Sequence, residues 1–333
     1  MKKGSLRNLE VFFGDANNAE ARVYARLDAT DVPGDCRLAG RVIGPTCPYA
    51  HTLSAAIPLS MKRLPANAKA PQPPALLAEA VVPDPCFWST ELPFLYRVEV
   101  ELLSPTKLPA TTRRLLGIRP LGAIRRRLVF EAKPWVPRGV ECSGAEYSGA
   151  DRSGEDYSGA PETQLSEWRA ADAVMVVERP SEELCGDASR LGVLLVAVIA
   201  GSPSDIATEV QRLSRWPAVV IAVLNSNTPL DASIRAKARN LLLGQSFGAG
   251  AAVEPAAWAD VVICECGDAA DLGRWAASCR LPVIVRRPAA CRDGPVEARA
   301  ECDRLQRDLA GSGDFAGYFV YNSRGLAGHS KRE

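Results

Sequence analysis

The chain has 333 residues, 47% of them hydrophobic and 24% charged, the composition of an ordinary globular protein and not of a disordered or fibrous one. At ~100–200 residues per domain, that length predicts two domains and not one core. With 40 basic and 39 acidic residues the formal charge is +1 and no long basic stripe is available to neutralise phosphates, so no nucleic-acid partner is expected.

The opening segment carries Lys2 and Lys3 but no uninterrupted apolar run of about seven or more residues before a small-residue cleavage site, so no secretory signal is read there. From Val11 to about Pro109, short apolar or alternating runs at 22–27, 36–43, 53–57, 76–82 and 95–102 are separated by clusters of Pro, Gly and Asp. That spacing predicts an antiparallel, immunoglobulin-like β-sandwich of roughly seven strands over residues 1–112. Tyr96, Val98 and Val100 are expected to face its core, with Arg97, Glu99 and Glu101 towards water. The Pro- and Ala-rich stretch 64–74 reads as a surface loop. Residues 113–128 are expected to act as a linker.

From residue 129 to 326, β-rich runs alternate with helical ones, the signature of a parallel sheet with crossover helices. Eight strands are expected, at 136–140, 173–178, 192–199, 218–224, 240–246, 260–265, 282–286 and 317–321, which predicts a compact (β/α)₈ barrel; a doubly wound open sheet is the competing architecture. Helices are expected over Ser204 to Arg215 and over Pro295 to Ala310, the second punctuated by Pro295 in its first turn and Gly311 just past its end. The most apolar run, Leu191 to Ala200, is half as long as a bilayer span requires, so it reads as a buried strand and no membrane partner is expected. Residues 327–333 read as a flexible tail.

Residues 142–161 fit neither texture. Four five-residue units with Ser and Gly at fixed places, beginning at Cys142, Tyr147, Arg152 and Tyr157, carry too little apolar surface to offset the entropy of ordering, so a flexible loop is expected. A lid over the barrel mouth carrying Tyr147 and Tyr157 is the functional alternative. The ten cysteines include no C-x-x-C pair, which favours reduced thiols and a cytoplasmic location.

Several segments resemble glycoside hydrolase family 2, the β-galactosidase, β-glucuronidase and β-mannosidase type. Residues 85–100, with Trp88, Ser89, Glu91, Pro93, Leu95 and Tyr96, resemble the family's Trp-Ser-Pro-Glu-x-Pro-x-Leu-Tyr stretch before the barrel. Gly117, Ile118 and Arg119 are similar to its Gly-Phe-Arg linker, and Arg138, Gly139 and Val140 to the start of its first barrel strand. Residues 168–196 resemble its second strand, second helix and third strand, while 215–224, 281–285 and 315–322 resemble its fourth, seventh and eighth strands. The resemblance implies a sandwich followed by a barrel.

The family's chemistry requires two facing carboxyl groups, one to protonate the leaving oxygen and one to attack the anomeric carbon. Where the resemblance places the Asn-Glu that ends the fourth strand, this chain has Ser226 and Asn227, and where it places the Thr-Glu that ends the seventh, it has Arg286 and Arg287, so the acid/base and nucleophile glutamate positions fall on Asn227 and Arg287. An amide donates no proton as a general acid at neutral pH, and a guanidinium is neither nucleophile nor base. The second strand carries Met175, Val176, Val177 and Glu178 where the family has Arg-x-Ser-His.

The resemblance therefore implies a catalytically inactive relative that binds a ligand at the barrel mouth or serves as a scaffold. The candidate ligand-binding residues are Glu178, Asn225, Asn227, Glu265, Arg286, Arg287 and Tyr321, and the expected ligand is a carbohydrate or an anionic small molecule. An active hydrolase with relocated carboxylates, Glu178 and Glu265, is the alternative from another class; a protein-interaction module is the third. Strand-end glutamates also commonly form structural ion pairs, and Tyr321 is equally well read as core packing or as a sugar platform. Cys264 and Cys266 lie two apart on a strand, yet His51 and His329 are the only histidines, so no metal site, cofactor or histidine-based catalysis is expected. The glycine-rich run from Gly244 to Gly250 lacks the Lys-Ser/Thr of a phosphate cradle and reads as a loop.

Overall fold

The computed structural model describes residues 6–28, 36–62, 75–105, 109–142, 161–225, 229–248, 254–289 and 294–322. The loop 64–74, most of the Ser/Gly repeat with Tyr147 and Tyr157, Ser226, Asn227 and the tail with His329 lie outside the described residues. The chain divides into two compact units, Met1–Arg119 with Arg215–Pro217, and Pro120–Ser214 with Ala218–Glu333.

The first unit is built from seven antiparallel strands: β1 (Leu9–Ala16), β2 (Glu20–Asp28), β3 (Arg37–Thr46), β4 (Ala55–Met61), β5 (Ala75–Pro83), β6 (Leu95–Leu103) and β7 (Ala110–Leu116), in the order β1-β2-β5-β4-β3-β6-β7. β4 joins the two halves, pairing with β3 along Ala55–Leu59 and with β5 at Ser60 and Met61, so the sheet folds into a sandwich. Strict alternation supplies the core: Val23, Ala25 and Leu27 of β2, Val42 of β3, Ala78 and Ala80 of β5, and Tyr96, Val98 and Val100 of β6 are all buried together. On the outer face Glu99 is gripped by Arg41, Arg97 and Arg113.

The buried hydroxyl of Tyr96 accepts a hydrogen bond from the Cys86 backbone N–H at 2.9 Å, and burial pushes its pKa up to about 12. Tyr96→Phe should therefore leave that amide without its acceptor and cost ~1–2 kcal/mol, read as a lower urea midpoint at unchanged slope. An unchanged midpoint would mean that the bond contributes nothing.

The linker expected over 113–128 is instead structured. Arg113–Leu116 complete β7, whose exposed side chains hid its strand pattern; then β8 (Leu121–Ile124), β9 (Arg127–Phe130) and β10 (Lys133–Trp135) form a small antiparallel sheet. Arg126 reaches from this sheet to the carbonyl of Ala277 near the end of a barrel helix, a favourable place for a cation.

Eight parallel strands close the barrel of the second unit: β11 (Arg138–Cys142), β12 (Val174–Glu178), β13 (Leu195–Ile199), β14 (Val219–Asn225), β15 (Leu242–Phe247), β16 (Val261–Glu265), β17 (Val283–Ala289) and β18 (Gly317–Asn322). Most are nearly continuous apolar runs because one side faces the barrel interior and the other the surrounding chain. The helices are α1 (Pro161–Ala170), α2 (Glu182–Leu191), α3 (Pro203–Leu213), α4 (Ala269–Ser278) and α5 (Pro295–Leu309). The barrel that the alternation predicts has few helices among the described residues: a 3₁₀ turn, Ala232–Ala236, stands between β14 and β15, and no helix is described between β15 and β16.

Helix α2 shows why the strands are set accurately. Ser181 caps its start by accepting from the Leu184 N–H, and Gly192 ends it at φ 78°, a left-handed conformation that glycine adopts without penalty. The chain is thereby turned directly into β13.

Candidate functional site

Paired residues of neighbouring parallel strands point the same way, so the register carries one orientation around the whole barrel. Starting from Gly139 and Phe319, the inward positions run through Val176, Val196, Ile221, Leu242, Gly244, Val261, Ile263, Ile284 and back to Gly317 and Phe319. The two glycines make room for large neighbours: a Cβ at Gly139 would lie 2.4 Å from Phe319, and one at Gly244 would lie 2.6 Å from Ile263. The interior is a filled core and not a channel.

One residue or strand step further towards the carboxyl ends, the same register brings together Glu141, Glu178, Asn225, Ser246, Glu265, Arg286 and Tyr321. This is the face on which barrels of this type carry their sites. The Tyr321 hydroxyl donates a hydrogen bond to Glu265 Oε1. Burial first, then that bond and the charge of Glu265, push the Tyr321 hydroxyl up to about 12, so it remains a donor across the neutral range. The Arg286 guanidinium carbon sits over the Tyr321 ring, 5.4 Å from its centroid.

Glu141 is open to the mouth yet hemmed in by protein. The exclusion of solvent raises its carboxyl above the ordinary range, Arg286 pulls it back and Glu178 pushes it up again. Arg286 is half-buried, and its Nε is fully buried without a hydrogen-bond partner among the described residues.

Of the residues singled out from the sequence, Glu178, Asn225, Glu265, Arg286 and Tyr321 take inward positions at the mouth. Arg287 does not. Adjacent residues of a strand face opposite sides, so with Arg286 inward Arg287 turns outward and pairs with Asp308 of α5 at 2.6 Å. Its expected role at the mouth is corrected accordingly. Cys264 and Cys266, one residue either side of Glu265, take the opposite, outward parity, and burial above all raises both thiols, with Arg286 opposing it at Cys264 and Arg287 at Cys266. Asn227 lies outside the described residues.

Two members of the layer were not anticipated. Glu141 is one residue beyond Val140, where the sequence pattern ends the first barrel strand at 136–140; alternation counted from Gly139 reaches it. Ser246 closes the strand expected at 240–246 but also falls in the glycine-rich run read as a loop, and it is not among the candidate residues; it belongs to β15, whose pairing runs through Asn225↔Ser246.

No protein-family model matches the chain, and no curated protein matches it. Solved structures do. Among them are a glycosyl hydrolase family 2 member from Bacteroides cellulosilyticus (TM-score 0.64, 14% identity), covering 95% of this chain and 43% of that one. A putative beta-galactosidase from Bacteroides fragilis matches with TM-score 0.60 at 11% identity over 95% of this chain and 54% of that one. A beta-D-glucuronidase of Dictyoglomus thermophilum matches with TM-score 0.61 at 14% identity over 95% and 61%. The fold is thus a β-sandwich with a closed parallel barrel of the kind found in glycosidases. The chain resembles glycoside hydrolase family 2 in fold, at low identity, and spans about half the length of these structures.

Proposed function

We propose that the barrel mouth binds a carbohydrate without cleaving its glycosidic bond, so that the protein serves as a binding or scaffold component built on a family 2 glycosidase fold. The observation that carries this reading is Arg286, which fills the inward position at the mouth end of β17. Glycoside cleavage passes through an oxocarbenium-like state carrying positive charge on the sugar, and it needs a carboxylate to attack or stabilise that centre. A guanidinium there cannot attack, and its fixed charge opposes the cation that must develop. Glu265 accepts a hydrogen bond from the Tyr321 hydroxyl through Oε1. Asn227, at the acid/base position of the resemblance, offers an amide. Asn225, Ser246 and Glu178 supply donors and acceptors for sugar hydroxyls.

The sandwich is read with this proposal as immunoglobulin-like, from its seven strands and buried Tyr96. The protein is read as cytoplasmic because the nine described cysteines are all free thiols.

Titration calorimetry against mono- and oligosaccharides tests the binding. Heat of binding is expected for the natural protein and should vanish in Ser246→Tyr, which obstructs the mouth, but persist in Val296→Asp on the exposed side of α5. Binding to no saccharide, or binding indifferent to Ser246→Tyr in a folded variant, would refute the proposal.

A hydrolytic reading has one observation in its favour: Glu141, whose carboxyl is raised first by burial, stands beside Glu178 of the neighbouring strand, and two carboxyl groups in different surroundings are the arrangement glycosidases use. It shifts the relocated pair from Glu178 and Glu265 to Glu141 and Glu178. Release of aryl alcohol from aryl glycosides, lost in Glu178→Gln, would establish it.

A further inference from the structure

We infer that Arg286 is the recognition point for an anionic group, a carboxylate, sulfate or phosphate, on the ligand that enters the barrel mouth. The inference deepens the reading of the mouth as a ligand site and rests on it. The guanidinium is fixed by the ring of Tyr321 at 5.4 Å. It makes no ion pair within 4.0 Å and no hydrogen bond among the described residues, and its Nε is buried with no partner. A buried donor left unmet is costly, and a guanidinium held by one face presents its N–H edge to whatever lies beside it.

The acidic neighbours have not taken that edge. Glu265 accepts from the Tyr321 hydroxyl, and Arg287, one residue along, has its own partner in Asp308. Glu178 stands across β11 and β18 from β17 in the strand order and interacts with Glu141. Glu141 lies within the field of Arg286 without pairing to it. Neutral sugar hydroxyls would satisfy some of the donors but leave the charge uncompensated, whereas a planar oxyanion matches the guanidinium fork with two parallel hydrogen bonds.

Among the described residues, the titratable groups that feel Arg286 or Glu141 are Glu178 of β12, Cys264 and Glu265 of β16 and Tyr321 of β18. With its proton affinity already raised by its surroundings, Glu141 takes up a proton more readily as an anion settles beside it, which lessens the repulsion the incoming group meets.

Calorimetry with a hexuronic acid, the neutral hexose of the same configuration, inorganic phosphate and sulfate tests the inference. The natural protein is expected to bind the uronic acid about ten-fold or more tightly than the hexose. That ratio should shrink with rising salt, fall towards one in Arg286→Gln and be kept in part by Arg286→Lys. A ratio near one in the natural protein, or a ratio that survives in folded Arg286→Gln, overturns the inference while leaving carbohydrate binding intact. If no saccharide binds but phosphate or sulfate is held and then lost in Arg286→Gln, the anion site stands and carbohydrate binding fails. If none of the four probes binds, both readings fall.

Discussion

Replacing Phe319 by alanine should destabilise the barrel by ~3–5 kcal/mol, the cost of emptying a large, fully packed ring site. Phe319 is 4% exposed and points inward at the level of Arg286, its partner in the β17–β18 ladder. The ring occupies the volume that Gly139 leaves open, with two of its carbons 2.4 and 2.6 Å from where a Cβ would stand. It is both the plug of the barrel interior and part of the floor beneath the mouth. A urea titration should show the lower midpoint, and a loss under about 1 kcal/mol would mean that the interior is not close-packed there. Gly139→Ala alone should cost ~1–3 kcal/mol by overpacking. Combined with Phe319→Leu it should cost less than the sum, because the two changes share one volume.

Gly40→Ala should be nearly as damaging to the sandwich. Gly40 has φ +155° within β3, and a Cβ there would lie 2.0 Å from the carbonyl oxygen of Glu99 on β6. The obstacle is backbone, fixed by the ladder that pairs Gly40 with Val100, so relief requires the two central strands to part. A loss of ~3 kcal/mol is expected, at the upper end for overpacking. Differential scanning calorimetry should show an earlier transition, and an unchanged one would contradict the close approach.

The parts of the fold that were readable in the sequence are those where burial dictates pattern. In β6 each alternate side chain enters one core, so Tyr96, Val98 and Val100 declare themselves. In β12, β14 and β16 a short apolar run marks a strand covered on both sides. Patterning was silent where neither side is fully covered: β7 and β8 carry mostly part-exposed residues, and the hairpin at Arg125, with φ 55°, is Arg-rich and not Gly-rich. The missing crossovers were hidden for another reason, since counting strands presumes a helix between each pair.

The mouth was legible to the extent that strand ends could be located. Glu178 and Glu265 close their strands, and parity then fixes their direction. The same parity separates Arg286 from Arg287, a distinction that matching to a family motif obscures, because such a motif treats the dipeptide as a unit. Ending β11 at Val140 leaves out Glu141, the carboxylate that burial at the mouth raises above its ordinary range.

Whether the mouth around Arg286 binds without cleaving, as proposed, is decided by the rate of aryl alcohol release from a panel of activated aryl glycosides by the purified protein. Release is expected at the rate of buffer alone, identical in the natural protein, Glu141→Gln and Glu178→Gln. Catalysed release by the natural protein that disappears in either variant would contradict it.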